Sequence, residues 1–216
     1  MRTFVILVTL CAAPWLTVTM QQVRRERAAA ASFENLGAQT VVWSAPLGLV
    51  WLRRLLGDEC FMHVDRVDLT GLNVSDKVLE NLKCMTRLRV LHFGDNPQIT
   101  DTGIRCIKGL TQLEWLSLDR TQVTDAGLEH VKALRQLKCL NLQVTNITDV
   151  GLDNIAGLNR LERLDLQRTK ITDAGLKKLK GLTRLRELYL TKSITASGEE
   201  ELKKALPKCS IGRFND

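Results

Sequence analysis

The stretch RTQVTDAGLEHVKAL at 120–134 returns as RTKITDAGLKKLKGL at 168–182, and a third version, VTNITDVGLDNIAGL, lies between them at 144–158. Aligning the leading apolar residue of every copy gives Val64, Leu88, Leu113, Leu137, Leu161 and Leu185, a step of 24 residues with one step of 25. The extra residue falls in GDNPQITD, where Pro97 marks a loop able to absorb it. A supersecondary unit this short cannot bury its apolar face alone. Six of them stacked side by side can, so the period demands an elongated array with one continuous core.

Each position within the copy has a physical reading. The alternating pairs Val67/Leu69, Leu91/Phe93, Leu116/Leu118, Leu140/Leu142, Leu164/Leu166 and Leu188/Leu190 have the period-two spacing of a short strand and point inward. Asn96, Thr121, Thr145, Thr169 and Ser193 follow, small polar residues suited to satisfy backbone groups in the turn leaving the strand. Ser75, Thr100, Thr124, Thr148, Thr172 and Thr195 stand where a helix begins and read as N-caps. Asp76, Asp101, Asp125, Asp149 and Asp173 come next, in a first turn where negative charge complements the helix dipole. Gly103, Gly127, Gly151 and Gly175 let that turn pack closely on its neighbour, and Leu128, Val131 and Leu134 close the core from the helix side. The expectation is an α/β solenoid of about six repeats, with a parallel sheet on the inner face and helices outside. Six strands at a spacing of about 4.8 Å give an inner face roughly 25–30 Å long. The end copies drift: Val78 replaces the glycine in the first and Ala196 the aspartate in the last. Degenerate ends are expected where an array is capped.

The front of the chain is different. No charged residue occurs from Thr3 to Val23, a run long enough to span a bilayer, and RRER follows at 24–27. The alanine run 28–31 lies beyond that charged cluster, badly placed for signal cleavage, so an uncleaved single-pass anchor is the expectation. Its flanking charges leave the side of the membrane open. RERAAAASFENLG reads as a helix stopped by Gly37, TVVWS (40–44) as a strand, and PLGLVWLRRLLGD (46–58) as a second helix. The expected organisation is a membrane anchor and following helix at 1–35, an N-terminal cap at 36–63, repeats at 64–208 and a tail at 209–216.

The repeated LxxLxLxxTxITDAGLxxL resembles the leucine-rich repeat superfamily, in the subclass found in short bacterial repeat proteins of planctomycete type. The likeness covers about 24–206 and includes the block PLGLVWLRRLLGDECF at 46–61 before the first repeat. It implies a right-handed horseshoe arc, a protein-interaction role and no shared chemistry. The repeats also resemble the arrays of F-box substrate adaptors, although no F-box-like helical segment precedes them here.

In such an arc the residues flanking the inward pairs form columns across the inner face. One column is Arg66, Val90, Trp115, Cys139, Arg163 and Glu187; the next is Asp68, His92, Ser117, Asn141, Asp165 and Tyr189. Asp119, Gln143 and Gln167 follow, then Asp95, Arg120 and Arg168. Trp115, near the middle, is the expected binding anchor. Val90, His92 and Cys139 surround it, Arg120, Arg163 and Arg168 form a charged rim, and Asn141, Asp165 and Tyr189 complete the candidate surface. The aspartates after each threonine read as capping residues rather than calcium ligands. His63, His92 and His130 fall at different phases of the repeat, so no metal site and no cofactor is expected. Asp68 and His92 are neighbours across strands, but no nucleophile accompanies them, and Cys139 lies two strands from His92.

The six cysteines form no CxxC pair. Scattered through unlike regions, they favour free thiols, with Cys60 and Cys84 left open as a pair. The net charge is +7, and residues 170–216 hold eleven Lys or Arg against six Asp or Glu. The leading expectation is a membrane-anchored scaffold that binds a protein or peptide on its concave face. The alternatives are an adaptor of the F-box kind and a polyanion or membrane-surface binder using Lys177, Lys178, Lys180, Lys203 and Lys204. No nucleic acid is expected.

Overall fold

The computed structural model describes residues 20–38, 40–44 and 63–213 of the 216. Every copy supplies one strand. Strands β2 (His63–Asp68), β3 (Val90–His92), β4 (Trp115–Ser117), β5 (Cys139–Asn141), β6 (Arg163–Asp165) and β7 (Glu187–Tyr189) lie in chain order in one parallel sheet. The register pairs each residue with its counterpart one repeat on, so Val90, Trp115, Cys139, Arg163 and Glu187 stand in a row, as do His92, Ser117, Asn141, Asp165 and Tyr189. All six inward pairs are buried. The fold is the right-handed solenoid expected, with the sheet on one face and the helical side on the other.

Two strands extend that count. Thr40–Ser44 forms β1, which pairs antiparallel with β2 and covers that edge of the sheet. Ser210–Gly212 forms β8, parallel to β7, so residues expected to be a tail belong to the sheet. A helix, α1, runs over 20–34 and starts earlier than the sequence suggested. Gly37 ends it at φ +87°, where the Gly37 N–H donates to the Glu34 carbonyl and the Ala38 N–H to that of Phe33. Ala29, Ala30 and Phe33 are buried in the common core. Glu26 is also buried; it accepts from Gln22 Nε2 at 2.9 Å and from the Val64 N–H at 3.4 Å. Capping of the first repeat therefore reaches into residues expected to follow a membrane anchor. The anchor run itself, as far as residue 19, lies outside the described residues, as does the expected helix at 46–58. Among the described residues no helix is long and apolar enough to cross a membrane.

The convex side is less helical than expected. It carries short α-helices, α2 (Asp101–Ile104), α3 (Asp125–Val131), α4 (Leu152–Ile155), α5 (Asp173–Leu176) and α6 (Ala196–Ala205), with 3-10 turns at Val78–Cys84, Arg105–Ile107 and Lys177–Gly181. A 24-residue step leaves little chain after the strand and its turn, and the tighter 3-10 form fits what remains. Thr100, Thr124, Thr172 and Thr195 cap their helices as expected, each hydroxyl accepting a first-turn N–H. Thr148 accepts from the Val150 N–H although α4 begins only at Leu152. Ser75 caps nothing: Val78–Cys84 has no side-chain cap.

The aspartates do more than complement a dipole. Asp76, Asp101, Asp125, Asp149 and Asp173 each reach the next repeat and accept both hydrogens of its threonine. The backbone N–H donates at 2.8–2.9 Å. The hydroxyl donates to the other carboxylate oxygen at 2.5–2.6 Å. This bidentate clamp runs the length of the array. It also explains the repeated glycine, because a Cβ at Gly103, Gly127, Gly151, Gly175 or Gly198 would overlap the aspartate of the preceding repeat. Within the turns after the strands, Thr121, Thr145 and Thr169 donate to the Leu118, Leu142 and Leu166 carbonyls at 2.6 Å. Asn96, fully buried, bridges two repeats: its Nδ2 donates to the Leu69 carbonyl at 2.8 Å and its Oδ1 accepts the Val74 N–H.

Cutting the clamp with Asp125→Ala strands two partly buried donors of Thr148, an expected loss of about 1–3 kcal/mol in denaturant unfolding. Gly151→Ala attacks the same contact from the other side, so the double variant should lose clearly less than the sum of the singles. Additive losses would show the two residues to be independent. Val144 adopts φ +54°, left-handed backbone that a β-branched residue resists. Val144→Asn should therefore gain about 1 kcal/mol on the same assay, and an unchanged or lowered midpoint would refute strain at this turn.

Candidate binding site on the concave sheet

The parallel register brings the two expected columns together at the centre of the inner face. They open on a cavity of about 350 Å³. Its aromatic wall is Trp115, which is 40% exposed although most of its sheet neighbours are at least half-buried. The indole stacks on His92 with ring centroids 6.0 Å apart and 24° between planes. Leu140 and Cys139 contribute further apolar surface, and Arg163, Asn141 and Asp165 the far side. Burial pushes the Cys139 thiol up from its usual range.

Of the candidate residues, Trp115, His92, Cys139, Asn141, Arg163 and Asp165 line this cavity. Val90 stands beside Trp115 in the register, outside the lining. Tyr189 acts at one remove. The Arg163 guanidinium lies over its ring at 5.3 Å and donates to its hydroxyl at 3.3 Å, while Glu187 pairs with Arg163 at 3.3 Å and accepts from the Tyr189 hydroxyl at 3.2 Å. The expected charged rim is only partly present. Arg120 and Arg168 sit in left-handed turns beyond the strands, away from the cavity, and Arg120 pairs with Asp95 at 3.2 Å. The threonine–aspartate series is the clamp between repeats and takes no part here.

Asp119, Ser117 and Thr70 line the cavity and were not among the candidates singled out. Their signal was available, since Ser117 and Asp119 alternate with the inward Leu116 and Leu118. Ser117 donates its hydroxyl to Asp119. Asp165 and Asn141 share a local turn: each side-chain oxygen accepts the backbone N–H two residues on, from Gln167 at 2.9 Å and Gln143 at 3.0 Å. Burial raises the Asp165 carboxyl above the ordinary carboxylate range, and the charge of Asp119 adds to this. The Gln167 N–H and Arg163 pull the other way.

A larger hollow of about 530 Å³ opens among the loops entering the last strands, bounded by Glu162, Arg184, Arg186 and Lys208. Among the described residues its lining has no aromatic side chain and Leu185 is the one apolar residue, so these offer far less to bury than the central cavity.

Comparison with known proteins places the architecture. Residues 68–205 match the model of a family described as a leucine-rich repeat region. Among solved structures, an internalin (inlF) from Listeria monocytogenes is 30% identical with a TM-score of 0.55, over 63% of this chain and 38% of that one. This chain thus spans well under half the length of that protein. An internalin C2 (inlC2) from the same organism is 23% identical with a TM-score of 0.53, over 68% of this chain and 70% of that one, a likeness of fold. No curated protein matches the chain.

A carboxylate whose folded pKa is raised costs stability where it is ionised, and the cost disappears as pH falls through the folded value and it protonates. Asp165→Asn retains the turn that Asn141 already makes, so it should raise the unfolding midpoint at pH 7. The gain should shrink to nothing below the carboxylate range. A variant less stable than the parent at pH 7 would contradict the burial argument.

Proposed function

The chain belongs to the leucine-rich repeat family, and from that premise we infer that it is a protein-interaction scaffold that holds a protein or peptide on its concave sheet. The observation that carries this reading is Trp115, a tryptophan left 40% exposed at the middle of a sheet whose inward residues Leu91, Leu116, Leu140, Leu164 and Leu188 are buried. Aromatic anchors at the centre of a concave surface are where interface energy concentrates. The convex lysines support the polyanion alternative less well. Lys178, Lys180, Lys203 and Lys204 are paired with Asp153, Glu201, Glu199 and Glu200 at 2.6–3.1 Å, which mutes their field.

We further propose that the chain is anchored in a membrane through its uncharged N-terminal run. Gln22 donates to the Cys84 carbonyl, so the end of that run is bound to the repeats rather than to lipid. Residues 3–21 remain, still within the roughly 17–25 residues that a spanning helix uses. α1 begins inside the run and ends in the core, so an anchor there holds the solenoid close to the bilayer with no flexible linker.

A photo-crosslinking residue at Trp115, compared with one at Glu129 on the convex side, tests the interaction surface in cells. A discrete protein adduct from position 115 and none from 129 is the expected outcome. Adducts confined to 129 would move the binding surface to the helical side. The membrane proposal has its own readout: the chain should stay with the membrane through an alkaline carbonate wash and lose that behaviour when residues 3–19 are deleted.

A further inference from the structure

The chemistry around Trp115 indicates what kind of group enters the cavity, on the premise that the concave sheet is the docking surface. The protein carries a net charge of +7, yet the cavity at the centre of its sheet is acidic. Asp119 and Asp165 both line it, and the charge of Asp119 acts against the ionisation of Asp165. The lining cation, Arg163, is drawn back over Tyr189 and pairs with Glu187. A further ion pair among the described residues joins Arg120 to Asp95. Neither pair uses Asp119 or Asp165. The indole of Trp115 stands beside these carboxylates with His92 stacked against it and much of its surface open.

The fold does not ask for this charge. Asp165 closes its turn by accepting the Gln167 N–H, and one repeat earlier Asn141 does the same for Gln143 with a neutral side chain. A carboxylate in that place is an added electrostatic cost to the folded chain. A cation arriving from outside would meet two negative charges and an aromatic wall in a partly desolvated hollow, where both attractions are stronger than in water.

We propose that the cavity receives an arginine side chain of a partner protein, its guanidinium against Trp115 and its charge shared by Asp119 and Asp165. Arginine suits the site better than lysine, because a planar guanidinium stacks on an indole and presents several donors to carboxylates at once. Arg163 borders the site as a positive edge, which disfavours a second cation immediately beside the first, while Asp119 and Asp165 turn away acidic side chains.

The test uses the full chain and a set of short, otherwise neutral peptides with Arg, Lys, Leu or Glu at the central position, their affinities read by fluorescence anisotropy at low and at moderate salt. The Arg peptide should bind about tenfold more tightly than the Leu peptide, with Lys between them and Glu weakest. The preference should shrink as salt rises. The double variant Asp119→Asn, Asp165→Asn should lose the Arg preference with an unfolding midpoint no lower than the parent's, and Trp115→Ala should weaken every peptide. Equal binding of the Leu or Glu peptide, or an Arg preference that survives in the double variant, would overturn the proposal. So would absence of peptide binding in a chain that still yields the adduct from position 115, a result that leaves the concave-face reading standing. Loss of both the peptide signal and the adduct would overturn the two together.

Discussion

The carboxylate clamp between successive repeats is the interaction on which the rest of the array depends. A parallel sheet fixes the spacing of the repeats on the concave side through its hydrogen bonds, but those act only along three-residue strands. On the other side of each turn, one aspartate accepts the N–H and the O–H of the next threonine, and that threonine's oxygen accepts an N–H of its own first turn. A single threonine is thus held from the preceding repeat while it starts its own helical segment. The glycine two residues beyond the aspartate position makes the room that the arrangement needs. No repeat contains a complete clamp. Each supplies a carboxylate forward and a threonine and glycine backward, which couples neighbours one by one along the stack. The ends obey the same logic. Val78 stands where the glycine would be, and among the described residues no aspartate of an earlier copy reaches forward to it. Ala196 stands where the aspartate would be, and the described residues beyond it hold no threonine to engage.

This division of labour leaves the inner face free. The inward pairs serve the core, the threonine, aspartate and glycine serve the clamp, and the small polar residue serves the turn. The flanking strand positions serve none of these, and they are where the copies differ most. Along one row the sheet presents Val90, Trp115, Cys139, Arg163 and Glu187 between columns of almost invariant leucine. Within this one chain, then, the copies act as their own alignment, and variation concentrates where a specific surface can be written without disturbing the stack.

The same distinction explains what could be read from the residues alone. Strand positions, inward pairs, turn threonines and the columns of the inner face follow from the period, because each is a property of a residue's place in its own copy. The clamp did not follow, since the partner of each aspartate lies in the next copy, 22–24 residues away, and a carboxylate after a threonine already has a local explanation in the helix dipole. Its trace was nevertheless present in the joint behaviour of glycine and aspartate at the two ends. The early start of α1 was hidden by the uncharged run that overlaps it, and β8 by being three residues long without a leucine. The rim arginines Arg120 and Arg168 share a column, both adopt left-handed backbone beyond the strands, and neither lines the central cavity.

Asp165 separates what stability requires from what the surface is for. Its turn is made equally by Asn141, its register is set by the sheet, and among the described residues no salt bridge employs it. Partial burial and the nearby Asp119 both act against its ionisation. A neutral side chain would meet every structural demand at that position at lower cost. Charge kept where the fold gains nothing from it points outward, to a group that is not part of this chain, and the open indole of Trp115 beside it supplies the surface on which such a group would rest.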